Sequence, residues 1–151
     1  MNAVDLLIAD HKVVKELFEK VAASKDSEHP AIFKKIQAEL DVHAHIEETI
    51  FYPKLVAEGD KPLVDIVREG IEEHRQVKMF LKELDPLSGD SPKFEPKLTV
   101  LQEDVEHHVK EEEEEMFPLV RKQFDAAVLE ELGAAMEAEK AKFKKSQAAS
   151  A

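Results

Sequence analysis

The sequence predicts an all-α fold, an up-down-up-down four-helix bundle with an additional C-terminal helix. Three observations lead to this prediction. Apolar residues recur at steps of three and four, the spacing of one face of an α-helix. The composition is 43% hydrophobic and 36% charged with only four glycines, which favours a helix-rich protein over disorder or an all-β fold. The breaks between periodic segments are short, so consecutive helices should be antiparallel neighbours.

The first two helices follow from this spacing. The first is predicted over about residues 3–23, and a turn over residues 24–30 follows it. Its apolar face is formed by Val4, Leu7, Ile8, His11, Val14, Phe18 and Val21. Pro30 suits the first position of the second helix, and Pro53 should kink that helix or begin its end. The inner face of the second helix is formed by Phe33, Ile36, Leu40, His43, Glu47 and Ile50.

The remaining helices follow breaks at residues 58–62 and 85–92. The third helix carries Ile66 or Val67, Ile71, His74, Val77, Leu81 and Leu84 on one face. The fourth carries Leu98, Leu101, Val105, His108, Glu112, Met116 and Leu119. The bundle should extend over about residues 3–124. A C-terminal helix over about residues 125–145 would pack outside it or extend away, and residues 146–151 would form a frayed tail. The whole chain, 1–151, is expected to be a single domain.

Charge and cysteine content restrict the function. The net charge of −12 disfavours nucleic acids and anionic membrane surfaces as partners. The chain has no cysteine, which excludes disulfides, thiolate metal sites and iron–sulfur ligation. No apolar run approaches the roughly 20 residues that cross a bilayer, and the N-terminus lacks the order of a secretory signal. The expected compartment is the cytoplasm.

Two stretches of the chain repeat one pattern of potential metal ligands. His43 and Glu47 precede Pro53 by ten and six residues, and His108 and Glu112 precede Pro118 by the same distances. A lone histidine precedes each pair, namely His11 and His74. The lone histidines are 63 residues apart and the paired ones 65. Two helical hairpins related by a pseudo-two-fold axis would bring all six side chains together at mid-bundle.

Buried carboxylates and imidazoles at this spacing indicate a pair of metal ions. A step of four residues places His43 and Glu47 on one helix face, roughly 5–6 Å apart at Cβ. Ionised glutamates in a core are costly unless cations neutralise them. A carboxylate can bridge two metals, so Glu47 and Glu112 are the natural bridges, and four imidazoles divide as two per metal. Nitrogen and oxygen donors without thiolate suit iron, and manganese or zinc less specifically.

The complete set resembles the hemerythrin-like, or HHE cation-binding, family. His11 in its Asp-His context, the first block ending Phe51-Tyr52-Pro53, His74, and the second block ending Met116-Phe117-Pro118 carry the resemblance over about residues 3–124. The resemblance implies a four-helix bundle around two iron ions with carboxylate and oxo or hydroxo bridges. Oxygen-carrying members use a fifth histidine at the position of Lys78, so the resemblance does not extend to reversible oxygen carriage.

The resemblance implies a small ligand, namely dioxygen, peroxide or nitric oxide, bound or reduced in oxygen, oxidative or nitrosative response. The alternatives are iron binding and storage, ferroxidase activity and catalase-like decomposition of peroxide, so enzymatic turnover stays open. A protein redox partner is possible in either case. A further alternative is an interaction module with vestigial histidines, in which chelation leaves the stability unchanged.

Several nearby residues compete with the assigned ligands. Glu48 competes with Glu47, and Glu111 and Glu113 compete with Glu112. Among the other histidines, His45 is expected at the surface, His107 at the surface or behind a ligand, and His29 solvated in a turn. Tyr52, the only tyrosine, could pack in the core or place its hydroxyl near the site, and Lys78 could extend outward or pair with a bridging carboxylate.

Overall fold

A computed structural model describes residues 1–150 as five helical rods joined by short connections. The helices are α1 (Ala3–Ala23), α2 (His29–Ile46), α3 (Tyr52–Glu58), α4 (Lys61–Leu84), α5 (Phe94–Glu111), α6 (Phe117–Gln123) and α7 (Ala126–Ser150). α2 continues into α3, and α5 into α6, so that each of these pairs forms one rod. α1 packs on α2, α4 packs on α5, and α7 lies across α1 and α2. The predicted all-α bundle with an additional C-terminal helix is confirmed.

Local sequence signals fix where the helices begin. The Asn2 side chain caps α1 by accepting a hydrogen bond of 2.9 Å from the Asp5 amide. Asp60 caps α4 in the same way, with 3.1 Å to the Leu63 amide. α2 and α4 each have a proline in their first two positions, where the missing N–H costs no helical hydrogen bond.

The apolar core consists of two clusters. One includes Leu7, Ile46 and Leu63 near one end of the bundle, and the other includes Phe18 and Leu81 near the opposite end. Between the two clusters along each rod lie buried polar residues, namely His11 on α1, His43 and Glu47 on the second rod, His74 on α4, and His108 and Glu112 on the fourth rod. The middle of the bundle is therefore polar, enclosed at both ends by hydrocarbon.

A wide π-helical turn interrupts the second and fourth rods directly before Pro53 and Pro118. These turns span Glu47–Phe51 and Glu112–Met116. The Tyr52 amide donates to the Glu47 carbonyl and the Phe117 amide to the Glu112 carbonyl, five residues back rather than four. Proline lacks an N–H and clashes with the preceding turn of a regular helix, and the wider turn makes room for it. The kink expected at Pro53 therefore takes the form of a π turn, and the rod continues to Glu58.

α7 is longer than predicted and packs on the bundle. It reaches Ser150, so the predicted frayed tail is wrong for residues 146–150, and Ala151 lies outside the described residues. The Gln147 side chain donates a hydrogen bond of 3.0 Å to the Ala38 carbonyl, which holds this last turn against α2. Gly133 lets the N-terminal segment cross α7, because a Cβ there would lie 2.1 Å from the Met1 carbonyl oxygen. Across residues 1–150, no helix combines the length and apolar character that crossing a membrane requires.

Candidate metal centre

The six predicted ligand side chains meet at the centre of the bundle, all of them buried. They form two groups, and within each group the donor atoms lie within 4.8 Å of one another. One group consists of His11, His43 and Glu112, and the other of Glu47, His74 and His108. Each group combines histidines with a glutamate from a different rod. Two of the six residues come from each rod that carries a π turn, and one each from α1 and α4.

Both glutamates reach across from one histidine pair to the other. Glu47 Oε1 lies 3.1 Å from His43 Nε2 and 3.0 Å from His74 Nε2. Glu112 uses one oxygen on each side, with Oε1 3.0 Å from His11 Nε2 and Oε2 3.5 Å from His108 Nε2. The two carboxylates therefore connect the His11–His43 pair with the His74–His108 pair.

Several of these buried donor atoms lack hydrogen-bond partners. His43 Nε2 and both carboxylate oxygens of Glu47 form no hydrogen bond, although they lie close to other polar atoms. The Nε2 atoms of His74 and His108 face each other at 3.1 Å. A fully buried carboxylate without hydrogen bonds is costly, and cations would remove that cost. The donor set of imidazole nitrogens and carboxylate oxygens thus fits metal ions.

A second set of carboxylates holds the outer nitrogen of every one of the four imidazoles. Since a carboxylate only accepts hydrogen bonds, each Nδ1 carries a proton, and each Nε2 faces the centre, where it offers a lone pair to a metal once it is unprotonated. The Nδ1–carboxylate distances are 2.6 Å for His11–Glu113, 3.1 Å for His43–Asp10, 2.8 Å for His74–Glu48 and 2.6 Å for His108–Glu73. Glu48 and Glu113, which compete with Glu47 and Glu112 in the sequence, therefore contact the outer edges of the imidazoles.

The pairing of these carboxylates follows the pseudo-two-fold repeat. We call residues 3–58 the first hairpin and residues 61–123 the second. Asp10 and Glu73, each directly before a lone histidine, hold the paired histidine of their own hairpin. Glu48 and Glu113, each directly after an inward glutamate, hold the lone histidine of the other hairpin. No spacing rule within one helix indicates these contacts, because they depend on how the four rods are rotated against each other.

The electrostatics of the metal-free site favour charged pairs. Burial alone lowers the pKa of His43, but the neighbouring Glu47 and Asp10 outweigh it and raise that pKa to about 10. Burial would raise the pKa of Glu47, yet the positive charge on nearby His43 brings it well below its usual range. The pKa of His108 is likewise raised well above its ordinary value, against its burial, chiefly by Glu112. Protons therefore occupy part of the space that a cation would take.

Tyr52 places its hydroxyl inside the site. The hydroxyl donates a hydrogen bond of 2.6 Å to Glu112 Oε2 and lies 3.3 Å from His74 Nε2 and 3.4 Å from His108 Nε2. Gly70 on α4 leaves the room, since a Cβ there would lie 3.3 Å from the Tyr52 hydroxyl oxygen. Burial and the two carboxylates raise the pKa of Tyr52 well above its ordinary value. Tyr52 therefore does both things considered from the sequence: its ring is buried in the core and its hydroxyl lies at the site.

Lys78 points away from the centre. Its ammonium lies 2.6 Å from Glu48 Oε1, and its side chain is 52% exposed. It therefore pairs with the carboxylate that holds His74 and makes no pair with a bridging glutamate. Beside it, between α2 and α4, lies a cavity of about 30 Å³. The cavity is lined by Leu40, Asp41, His43, Ala44, His74, Val77, Lys78, Leu81 and His108.

The remaining histidines lie outside the six-residue cluster. His107 is exposed, in line with one of the two roles expected for it, and its Nε2 is 3.5 Å from Glu73. His45 is half-buried and bonds to Glu139 at 2.8 Å, so it is less exposed than predicted. The prediction for His29 is wrong: this residue is buried, with Nδ1 2.8 Å from Glu95 and Nε2 2.9 Å from the Val21 carbonyl.

A helical bundle with two groups of buried histidine and glutamate at its centre defines a class, the metal-binding helical bundles. The chain matches the family model described as "Hemerythrin HHE cation binding domain" over residues 2–120. It belongs to that family, as the sequence resemblance predicts. Membership implies metal binding, for which the histidine and glutamate clusters are suited.

The similarity to known proteins extends beyond the residues matched by the family model and includes part of α7. The chain is 36% identical to the uncharacterized protein Rv2633c of Mycobacterium tuberculosis, over 91% of this chain and 84% of that protein. A crystal structure of a hemerythrin HHE cation binding domain-containing protein, the Rv2633c homolog from Mycobacterium kansasii, has a TM-score of 0.83 and 31% identity, covering 97% of this chain and 89% of that one. A protein of Nostoc sp. named "DNA nickase" is 28% identical over 95% of this chain, which spans only 40% of its length.

Proposed function

We propose that His11, His43, Glu47, His74, His108 and Glu112 hold two iron ions and that the protein binds or reduces dioxygen, peroxide or nitric oxide there. The observation that supports this most is the position of the two glutamates. Glu112 directs Oε1 toward His11 and Oε2 toward His108, and Glu47 lies 3.1 and 3.0 Å from a histidine of each pair, so both carboxylates are within reach of both halves of the site. When bound, such a metal pair supplies the redox chemistry, and the protein supplies the orientation and the dry surroundings.

The donor chemistry supports iron. The six donors are imidazole nitrogens and carboxylate oxygens, and the chain has no cysteine to offer a softer ligand. The hydrogen bonds from Nδ1 to carboxylates make the imidazoles better electron donors and lock their orientation. Manganese and zinc suit the same donors less specifically, so the identity of the metal is measured directly in the experiment below.

The cavity beside the centre supports a very small ligand. Its volume of about 30 Å³ is enough for a water-sized molecule and favours a ligand of a few heavy atoms over a larger organic substrate. Three of the four ligand histidines line it, so a molecule inside would lie next to both halves of the site. Leu40, Val77 and Leu81 form its apolar part, and this favours an uncharged diatomic or hydrogen peroxide over an organic anion.

Tyr52 would act on the His74–His108 half of the site. Its hydroxyl oxygen is placed to serve as an oxygen donor toward that half of the site or to give a hydrogen bond to a bound ligand. The same hydroxyl donates a hydrogen bond to Glu112 Oε2. The loss of the fifth histidine at Lys78 would thus be offset in part by a phenolic oxygen from another helix.

Handling of iron itself is the second candidate function, and one feature of the surface favours it. A recess of about 330 Å³ is lined by His107, Lys110, Glu111, Glu114 and Glu115. It lies beside Glu73, the carboxylate that holds His108. An acidic recess raises the local concentration of cations, which would assist loading or oxidation of ferrous ions. The activity named for the Nostoc relative is not carried over, because a net charge of −12 opposes contact with phosphates.

Elemental analysis of protein purified without added metal tests the proposal, paired with absorption spectra before and after peroxide. We expect two irons per chain and the visible absorption of bridged ferric ions. Glu47→Ala should remove at least one metal, whereas the control Glu103→Ala, which changes an exposed acid of α5 outside the recess, should keep both. Steady oxygen evolution would indicate catalase-like turnover, and repeated oxidation of ferrous ions would favour the second candidate. Two metals retained in Glu47→Ala would refute the bridging role, and equal melting temperatures with and without chelator would refute a metal centre coupled to folding.

A further inference from the structure

We propose that Lys140 on α7 is a positioning residue for His43, acting through Asp10, so that the C-terminal helix forms part of the metal centre. This inference rests on the proposed function, since it concerns the orientation of one of the six candidate ligands. It assigns a role to the helix that lies beyond the residues matched by the family model, which end at 120.

Asp10 lies between the two side chains and contacts both. It is only 4% exposed. Its Oδ2 accepts the hydrogen bond from His43 Nδ1 at 3.1 Å, and its Oδ1 pairs with the Lys140 ammonium. Each oxygen of the carboxylate thus has one partner, and the two contacts together fix the plane of the group. Because His43 is held by Oδ2, that plane also fixes the ring of His43 and the direction of its Nε2.

A buried carboxylate at this position needs a cation as well as the imidazole. An imidazole that is neutral because its Nε2 binds a metal would leave one oxygen and the full negative charge of Asp10 uncompensated in the interior. Lys140 supplies that charge from the outside of the bundle, and its own side chain is only 23% exposed. Since this pair is poorly solvated, it is screened less by water and salt than an ordinary surface pair.

The other three outer carboxylates lack an equivalent support. Glu48 also has a lysine, but Lys78 is 52% exposed and its pairing is open to solvent. Glu73 has the exposed His107 at 3.5 Å beside its second oxygen. The pseudo-two-fold repeat therefore breaks at Asp10, because the additional helix packs on the first hairpin, across α1 and α2.

Contacts on either side of Lys140 fix the position of α7 along the bundle. His45 Nε2 bonds to Glu139 at 2.8 Å, and the His45 ring stacks on Phe143 with 4.5 Å between centroids. At the other end of the helix, Gly133 lies directly under the Met1–Asn2 backbone. A shift of α7 by one turn would break all of these contacts and move the ammonium of Lys140 about 5.4 Å from Asp10.

The test compares Lys140→Met with Lys144→Met, which removes a more exposed lysine of the same helix whose nearest acid, Glu39, is 4.0 Å away. In the metal-free protein, the His43 Nδ1–H proton should give a slowly exchanging ring signal by NMR in wild type and Lys144→Met. It should exchange fast in Lys140→Met. With Zn²⁺ as the probe, one of the two binding steps should weaken about tenfold or more in Lys140→Met only, the usual effect of losing an outer-sphere partner. Lys140→Arg should restore both measurements.

The variant Glu139→Gln distinguishes the loss of the Lys140–Asp10 contact from a general weakening of how α7 packs on the bundle. It weakens the His45 contact and leaves Lys140 in place. If Glu139→Gln matches Lys140→Met in both measurements, docking alone is responsible and the positioning role is refuted. Unchanged exchange and unchanged zinc binding in Lys140→Met would refute it as well. A wild-type chain that binds no metal pair would overturn the proposed function, while the NMR comparison would still decide whether Lys140 holds His43.

Discussion

Metal binding should expel protons from the buried histidines, and the structure gives the size of this effect. The pKa of His43 is raised to about 10 in the metal-free site, so at pH 7 this imidazole carries a proton on the nitrogen a metal would use. Removing it at pH 7 costs about 4 kcal/mol, three pH units at 1.36 kcal/mol each. The pKa of His108 is also raised well above its ordinary value. His43 and His108 belong to different ligand groups, so each ion displaces one of these protons. The affinity for one ion should rise roughly tenfold per pH unit near neutrality, and the overall affinity for both roughly a hundredfold.

Calorimetric titration with Zn²⁺ measures this directly. Repeating the titration in buffers of different ionisation enthalpy gives the number of protons released, which we expect to be about two at pH 7. Ca²⁺ serves as the control, because it prefers oxygen ligands and should not displace protons from imidazoles. Zinc binding with no proton release, or an affinity that stays constant between pH 6 and pH 8, would refute the charged, ion-paired state of the metal-free centre.

Three further predictions concern single residues. Tyr52→Phe should keep both metals but change the visible spectrum of the ferric protein, and an identical spectrum would exclude the hydroxyl from the site. Gly133→Ala should lower the free energy of unfolding by several kcal/mol, on the order of an overpacked core site, because its methyl group would overlap the Met1 carbonyl oxygen. Denaturant titration checks this, and wild-type stability would contradict it. His29→Gln should cost about 1–2 kcal/mol at pH 6. Burial lowers the pKa of His29, but Glu95 and the Val21 carbonyl raise it overall. The stabilisation is therefore complete below the unfolded pKa and is lost as the pH rises through the folded one. The cost should shrink by pH 9, and equal costs at both values would count against the ion pair.

The fold and the meeting of the six inner side chains could be predicted from the sequence because one regular spacing governs both. His11, His43, His74 and His108 occupy positions that apolar residues would take on a 3.6-residue stripe. Any bundle that buries these stripes must bring the histidines inside. The order of the two blocks and their common distance from a proline selected Glu112 from a run of five acids. Their role as metal ligands stays a prediction.

The outer shell could not be predicted, because it depends on contacts between rods. His11 and Glu113 are 102 residues apart, and His29 and Glu95 are 66 apart. Neither pair follows from periodicity within one helix. The same holds for the last turn of α7, where weak local preferences in an Ala- and Ser-rich stretch are supplemented by the Gln147 contact with Ala38. The π turns were missed because proline indicates an irregularity, whereas its form depends on the surrounding packing.

The exchange of outer carboxylates between hairpins has a consequence for how such a centre could originate. Each hairpin carries two outer carboxylates. One binds the paired histidine of its own hairpin, and the other, directly after the inward glutamate, binds the lone histidine of the neighbouring hairpin. A single hairpin would therefore leave the Nδ1 of its lone imidazole without a carboxylate, whereas two identical copies in symmetric association would provide a carboxylate for every Nδ1. The present chain corresponds to such a pair joined by the link between α3 and α4, which Gly59 and Asp60 form. Covalent joining frees each copy to diverge, and α7, which packs on the first copy, is where the symmetry has been lost.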